Sequence, residues 1–145
     1  MRWKRIALLV ATGLAAASVF AAEPADFKVV VNGANTMTEI DVGNLSRIYL
    51  KQTASWPDGS EPFPVDMAPD TELRKEFSKA VHGRDAAAIK SYWQRQIFSG
   101  NGIPPMEFNS EDDVLFFISV TPGAVGYVSD STPLTSGVKE LRVRD

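Results

Sequence analysis

Short apolar runs rich in β-branched residues alternate along this chain with apolar patterns at helical spacing, and few architectures accommodate that order. Phe27 to Val31 is one such run, ended by Asn32-Gly33, and reads as a buried strand and its turn. Phe63 to Met67 and Ala124 to Val128 read the same way. Leu141 and Val143 alternate with charges in a last, half-exposed strand. Helical stretches fall between them. Asp41 caps a short one that turns Leu45, Ile48 and Tyr49 to one face. Asp70 or Thr71 opens the next, which carries Leu73, Phe77, Ala80 and Val81 inward and stops at His82-Gly83. Asp85 caps another, with Ile89, Tyr92, Trp93, Gln96 and Ile97 on a shared face. Ser110-Glu111-Asp112-Asp113 opens the last, with acids at the positive end of the dipole and Val114, Leu115, Phe117 and Ile118 as its apolar face. Trp56-Pro57-Asp58-Gly59, Ser99 to Gly102 with Pro104-Pro105, and Thr121-Pro122-Gly123 break the chain. Strands separated by helices predict an α/β domain, a mixed or largely parallel sheet flanked by helices.

The first residues set the compartment. Arg2, Lys4 and Arg5 precede an apolar Ile6 to Phe20, and Val19-Phe20-Ala21 ends it with a small residue before Ala22-Glu23-Pro24. A basic start, apolar middle and small-residue end predict a cleaved secretory signal over 1–21 and one domain over 22–145, placed in the periplasm. The other reading is an uncleaved anchor, against which stands an apolar run shorter than the roughly 20 residues a spanning helix needs. Removing three basic and no acidic residues takes the formal charge from −3 to −6. A domain so acidic, with no basic stripe, repels a phosphate backbone, which argues against nucleic acid as partner. With no cysteine, no disulfide staples the fold in an oxidising compartment.

No GxSxG elbow, P-loop, HExxH pair or Rossmann glycine run occurs, so the chain does not read as an enzyme and implies no cofactor. His82 is the single histidine, near a helix end where the dipole favours the imidazolium, and without a ligating partner it reads as structural rather than metal-binding. Glu111, Asp112 and Asp113 point in different directions on a helix and read as helix-start stabilisation, not as metal ligands. Trp56, Tyr92, Trp93 and Tyr127 read as core rather than as an aromatic binding surface.

Several segments together resemble the phosphate-binding proteins of ABC uptake systems, within the type 2 periplasmic-binding-protein superfamily. They are Leu45-Ser46-Arg47-Ile48-Tyr49-Leu50 before Trp56-Pro57-Asp58-Gly59, Tyr92-Trp93 before Phe98-Ser99-Gly100 and Pro104-Pro105, and Thr121-Pro122-Gly123-Ala124-Val125-Gly126-Tyr127-Val128. The resemblance runs from Val29 to Val128 and implies a single lobe of the periplasmic-binding-protein-like fold. Such domains hold an oxyanion on the unpaired N–H groups of a helix start, with hydroxyls and an arginine completing the cage. The family carries a serine-glycine-threonine run there, before a helix phenylalanine that corresponds to Phe77. Thr71 falls on the serine, Glu72 on the glycine and Leu73 on the threonine, so one hydroxyl of the run remains and a carboxylate stands near the anion.

The candidate ligand-binding residues are therefore Thr71, Arg74 and Asp70, together with Asn32, Asn35 and Thr36 after the first strand. Their other reading is an N-cap, a surface charge and an ordinary turn. The resemblance implies a periplasmic solute-binding protein with weak or modified oxyanion binding. Its partners would be phosphate or a similar oxyanion and an ABC transporter or other periplasmic or membrane protein. The alternative is an interaction or regulatory module that keeps the fold and has lost the ligand. A homodimer would be one way for a single lobe to rebuild a two-lobed cleft. A binder brings the Thr71 region and the Asn32–Thr36 loop to one concave spot. An interaction module fills that spot with Glu72 or Leu73 and exposes an apolar patch elsewhere.

Overall fold

The computed structural model describes residues 26–145; the expected signal segment, 1–21, lies outside them. Six strands form one sheet: β1 (Phe27–Asn32), β2 (Glu39–Asp41), β3 (Phe63–Met67), β4 (Met106–Phe108), β5 (Ala124–Ser129) and β6 (Val138–Arg144). Their spatial order is β2-β6-β1-β5-β3-β4. Central β1 runs antiparallel to both neighbours, with Phe27 opposite Ser129 and Val29 opposite Leu141. The pairs β2–β6, β3–β5 and β3–β4 are all parallel. Five strands thus share one direction and β1 alone opposes them. Asn32, the carboxyl end of β1, therefore lies at the edge where the other strands begin.

Val29, Val30 and Val31 are all buried, as a central strand covered on both faces requires. Alternation along β5 separates the two faces. On one, Tyr127 stacks on Phe77 with ring centroids 3.8 Å apart, and Phe77 meets Tyr49 at 4.7 Å. Tyr49 belongs to α1 (Val42–Tyr49) and Phe77 to α2 (Glu72–Phe77). On the other, Gly126 lets α4 (Glu111–Val120) approach closely. A Cβ at Gly126 would stand 2.8 Å from Ile118 and 2.9 Å from Val114. Gly126→Ala is expected to overpack this contact and cost about 1–3 kcal/mol in urea unfolding; a neutral result would mean that α4 sits less tightly than described.

Most helix starts follow their sequence signals. Thr71 accepts from the Arg74 N–H at 3.2 Å, Asp85 from Ala88 at 2.8 Å and Ser110 from Asp113 at 3.1 Å. Asp41 occupies the N-cap position of α1, yet its carboxylate takes the Asn44 amide and Arg144 instead of a backbone N–H. After α2 the chain widens into a π-helical turn, Ser78–His82, closed by Gly83 at φ 64°. An i→i+5 turn rotates the residues beyond it. Ala80, expected inward, faces solvent, and Arg74 and Ser78 join Phe77 and Val81 inside. In α3 (Ala86–Phe98), Ile89 and Trp93 pack with Leu50, whereas Ile97 is exposed against expectation. Trp56 is buried, and its indole donates to the Gly123 carbonyl at 3.0 Å, pinning the proline-glycine break to the start of β5.

Candidate functional site

The described residues bury two charged side chains, and they meet at the carboxyl end of β3. Asp66 is 5% exposed and Arg74, in the first turn of α2, is 6% exposed. The Arg74 Nε lies 3.3 Å from Asp66 Oδ1, and its Nη1 donates to the Met67 carbonyl at 2.8 Å. Glu107 on β4, half in solvent, comes within 3.7 Å of the same Nη1. The Tyr127 hydroxyl donates to Asp66 and accepts from the Met67 N–H at 3.2 Å. Behind it, the Tyr49 hydroxyl donates to Val65 O at 2.9 Å.

Burial pushes the Asp66 carboxyl up to about 6, more than the neighbouring Arg74 pulls it down. Both tyrosines are driven upward, by burial first and by Asp66 second, and so remain donors at any physiological pH. His82 stands behind this group, its Nδ1 2.7 Å from the Ser46 hydroxyl. Burial, and then Arg74 and Arg84, lower it to about 4. The ring is therefore neutral at pH 7, contrary to the expectation from the helix end alone. Desolvation and two guanidinium groups outweigh a partial charge.

A cleft of about 620 Å³ opens on this pair. One face of α3 forms its wall, with Lys90, Trp93 and Ile97, and Pro104-Pro105 closes the far side. Across those prolines lies a second groove of about 550 Å³, edged by Phe63, Ile103 and Met106. Ile97, Phe98, Ile103 and Met106 are more than half exposed, which gives this flank an apolar surface. Among the described residues, no cluster of acids and histidine is placed to hold a metal ion, and no helix is long and apolar enough to cross a membrane.

The sequence-derived candidates do not meet at one spot. Thr71 donates to Ala68 O at 2.8 Å while capping α2, and Asp70 is exposed in the turn before it. Asn32 donates to Ile118 O at 2.8 Å and accepts from the Ala34 N–H. Asn35 accepts from the Met37 N–H at 2.8 Å, and Thr36 donates to Asp58 at 2.7 Å. Because β1 opposes the other strands, the Asn32–Thr36 loop sits at one sheet edge and Thr71 with Arg74 at the other. The expected convergence is corrected by that one antiparallel strand. Leu73 packs half-buried against the core, and Glu72 stays in solvent, 3.0 Å from Lys75.

Asp66 was missed. Its signal was an acid inside the apolar run Phe63 to Met67, where a buried charge requires a partner, and Arg74 sits three residues before Phe77 on the helix face that supplies one.

No family model matches the sequence, and no curated protein is similar to it. Solved structures do match. An ABC-type phosphate transport receptor from Vibrio cholerae superposes with a TM-score of 0.64 at 18% identity, over 81% of this chain and 46% of that one. A putative phosphate ABC transporter substrate-binding protein from Clostridium perfringens, solved with bound phosphate, gives 0.64 at 14%, over 81% and 44%. A possible phosphate binding protein from Planctomyces limnophilus gives 0.56 at 16%, over 83% and 42%. The likeness establishes the fold as that of these substrate-binding proteins, and the chain spans less than half the length of each.

Proposed function

We propose that this protein is a periplasmic module of the solute-binding type that has given up phosphate capture and acts through contact with another protein. In this reading residues 1–21 are a cleaved signal and 22–145 the functional domain. The partner is an ABC transporter component or another periplasmic or membrane protein. The observation that carries it is the engagement within the protein of the donors expected at the helix start and at the end of β1, the Asn35 amide excepted. Arg74 is held by Asp66 and Met67, Thr71 by Ala68, and Asn32 by the end of α4. A phosphate at the start of α2 would also meet Asp66 and Glu107, and like charge repels it. The exposed Ile97, Phe98, Ile103 and Met106 supply the apolar patch that a contact surface needs.

The second reading, weak oxyanion binding, draws on Lys75 and Lys90 beside the Arg74 cleft. Titration calorimetry of protein recovered from the periplasm of an expressing bacterium separates the two. The expected result is a mature mass beginning at Ala22 and no saturable heat with phosphate or sulfate into the millimolar range. Saturable phosphate binding abolished by Thr71→Ala would restore the oxyanion reading. Failure of export would overturn the compartment.

A further inference from the structure

We propose that the cleft between α3 and the β3–β4 edge binds a small carboxylate with an apolar or aromatic body, its carboxylate against Arg74 and Lys90 and its body against Trp93, Ile97 and Pro104-Pro105. This goes beyond the contact function and does not depend on it.

The floor and the walls of the cleft ask for different parts of one molecule. At the floor is Arg74, buried and rigidly held, with a planar guanidinium that suits the geometry of a carboxylate. Asp66 occupies its Nε side. Toward the cleft, Nη1 has Glu107 at 3.7 Å, beyond hydrogen-bond distance, on a side chain that is 45% exposed. Glu107 is thus a loosely held carboxylate that a ligand carboxylate can replace. Lys90 lines the same cleft from α3 and adds a second positive charge.

The walls are apolar. Trp93 and Ile97 lie one turn apart on α3 and face the two prolines, which form a stiff, flat surface. A phosphate ion gains nothing from such walls and carries extra charge toward Asp66. A singly charged amphipathic acid gains from both halves of the cleft. The neighbouring groove beside Phe63 and Met106 has no buried charge at its floor, so the same ligand has no reason to choose it.

The test uses 3-phenylpropionate and its neutral amide, 3-phenylpropanamide, titrated into the protein while backbone amide shifts are followed. Saturable shifts at Lys90, Trp93, Ile97 and Glu107 are expected with the acid, and at least about fivefold weaker binding with the amide. Glu107→Gln removes the competing carboxylate and should tighten binding by about two- to fivefold, whereas Lys90→Glu should weaken it by a similar factor. Both positions are exposed, so these variants keep the fold where Arg74 variants lose stability. Equal binding of acid and amide, shifts centred elsewhere, or no shifts in the folded protein would each overturn the proposal. None of these outcomes depends on whether phosphate binds.

Discussion

Arg74→Ala is expected to destabilise the protein by about 3–5 kcal/mol at pH 7, because it leaves the Asp66 carboxylate buried without its counter-charge. The guanidinium does more than neutralise. Its bond to the Met67 carbonyl ties the first turn of α2 to the end of β3, and Thr71 caps that turn from the same loop. Urea unfolding monitored by circular dichroism measures the loss. Without Arg74, the Asp66 carboxyl titrates at still higher pH, since Arg74 is the main influence lowering it. The deficit should therefore shrink as the pH is brought down to 5, where a neutral Asp66 keeps its Tyr127 partner. A cost below about 1 kcal/mol at pH 7 would show that Asp66 is hydrated, and that the pair is a surface contact rather than a buried one.

The second large effect is on pH dependence, where two buried groups oppose each other. Asp66 is raised from 3.8 to about 6, so the folded state holds its proton more tightly than the unfolded state. Its contribution is fully present below pH 3.8 and is lost as the pH rises through 6. His82 is lowered from 6.5 to about 4, so the folded state resists protonation. Its contribution is present above pH 6.5 and is lost as the pH falls through 4. Each spans about two pH units, on the order of 3 kcal/mol, and they cancel over the shared window. Wild-type protein should accordingly show a nearly flat Tm between about pH 4.5 and 6. His82→Gln removes one side, and Tm should then rise on acidification. Asp66→Asn removes the other, and Tm should fall. The two variants should diverge by roughly 10–20 °C across the window. Parallel profiles for all three proteins would refute the assignment of both groups.

Much of the fold was legible because its elements carry strong local signals. The buried strands β1, β3 and β5 are predominantly apolar runs, and α4 opens with a serine that does cap it. The edge strands β2 and β4 are three residues each, too short to show a period, and they exist through pairing with β6 and β3. The direction of β1 was not legible either. Nothing within Phe27 to Asn32 says whether its neighbours run with it or against it, yet that one fact decides that Asn32 and Thr71 lie apart. The outward turn of Ala80 and the burial of Ser78 follow the π-helical turn after Phe77, a departure from regular spacing that no composition announces. Asp66 is the clue that the sequence does carry. A carboxylate inside a buried strand is costly unless paired, and the requirement for a partner points to Arg74 directly.

The central claim is that Thr71 and Asn32 are spent inside the fold and that the cleft over Arg74 is the accessible polar site. Amide shift mapping of the folded protein with phosphate, followed by 3-phenylpropionate on the same sample, tests it most directly. The account predicts no saturating shifts at Thr71 or at Asn32 to Thr36 with phosphate, then saturating shifts along Lys90, Trp93 and Glu107 with the acid. Saturating phosphate shifts at Thr71 and its neighbours, with the α3 face unmoved by the acid, would contradict it.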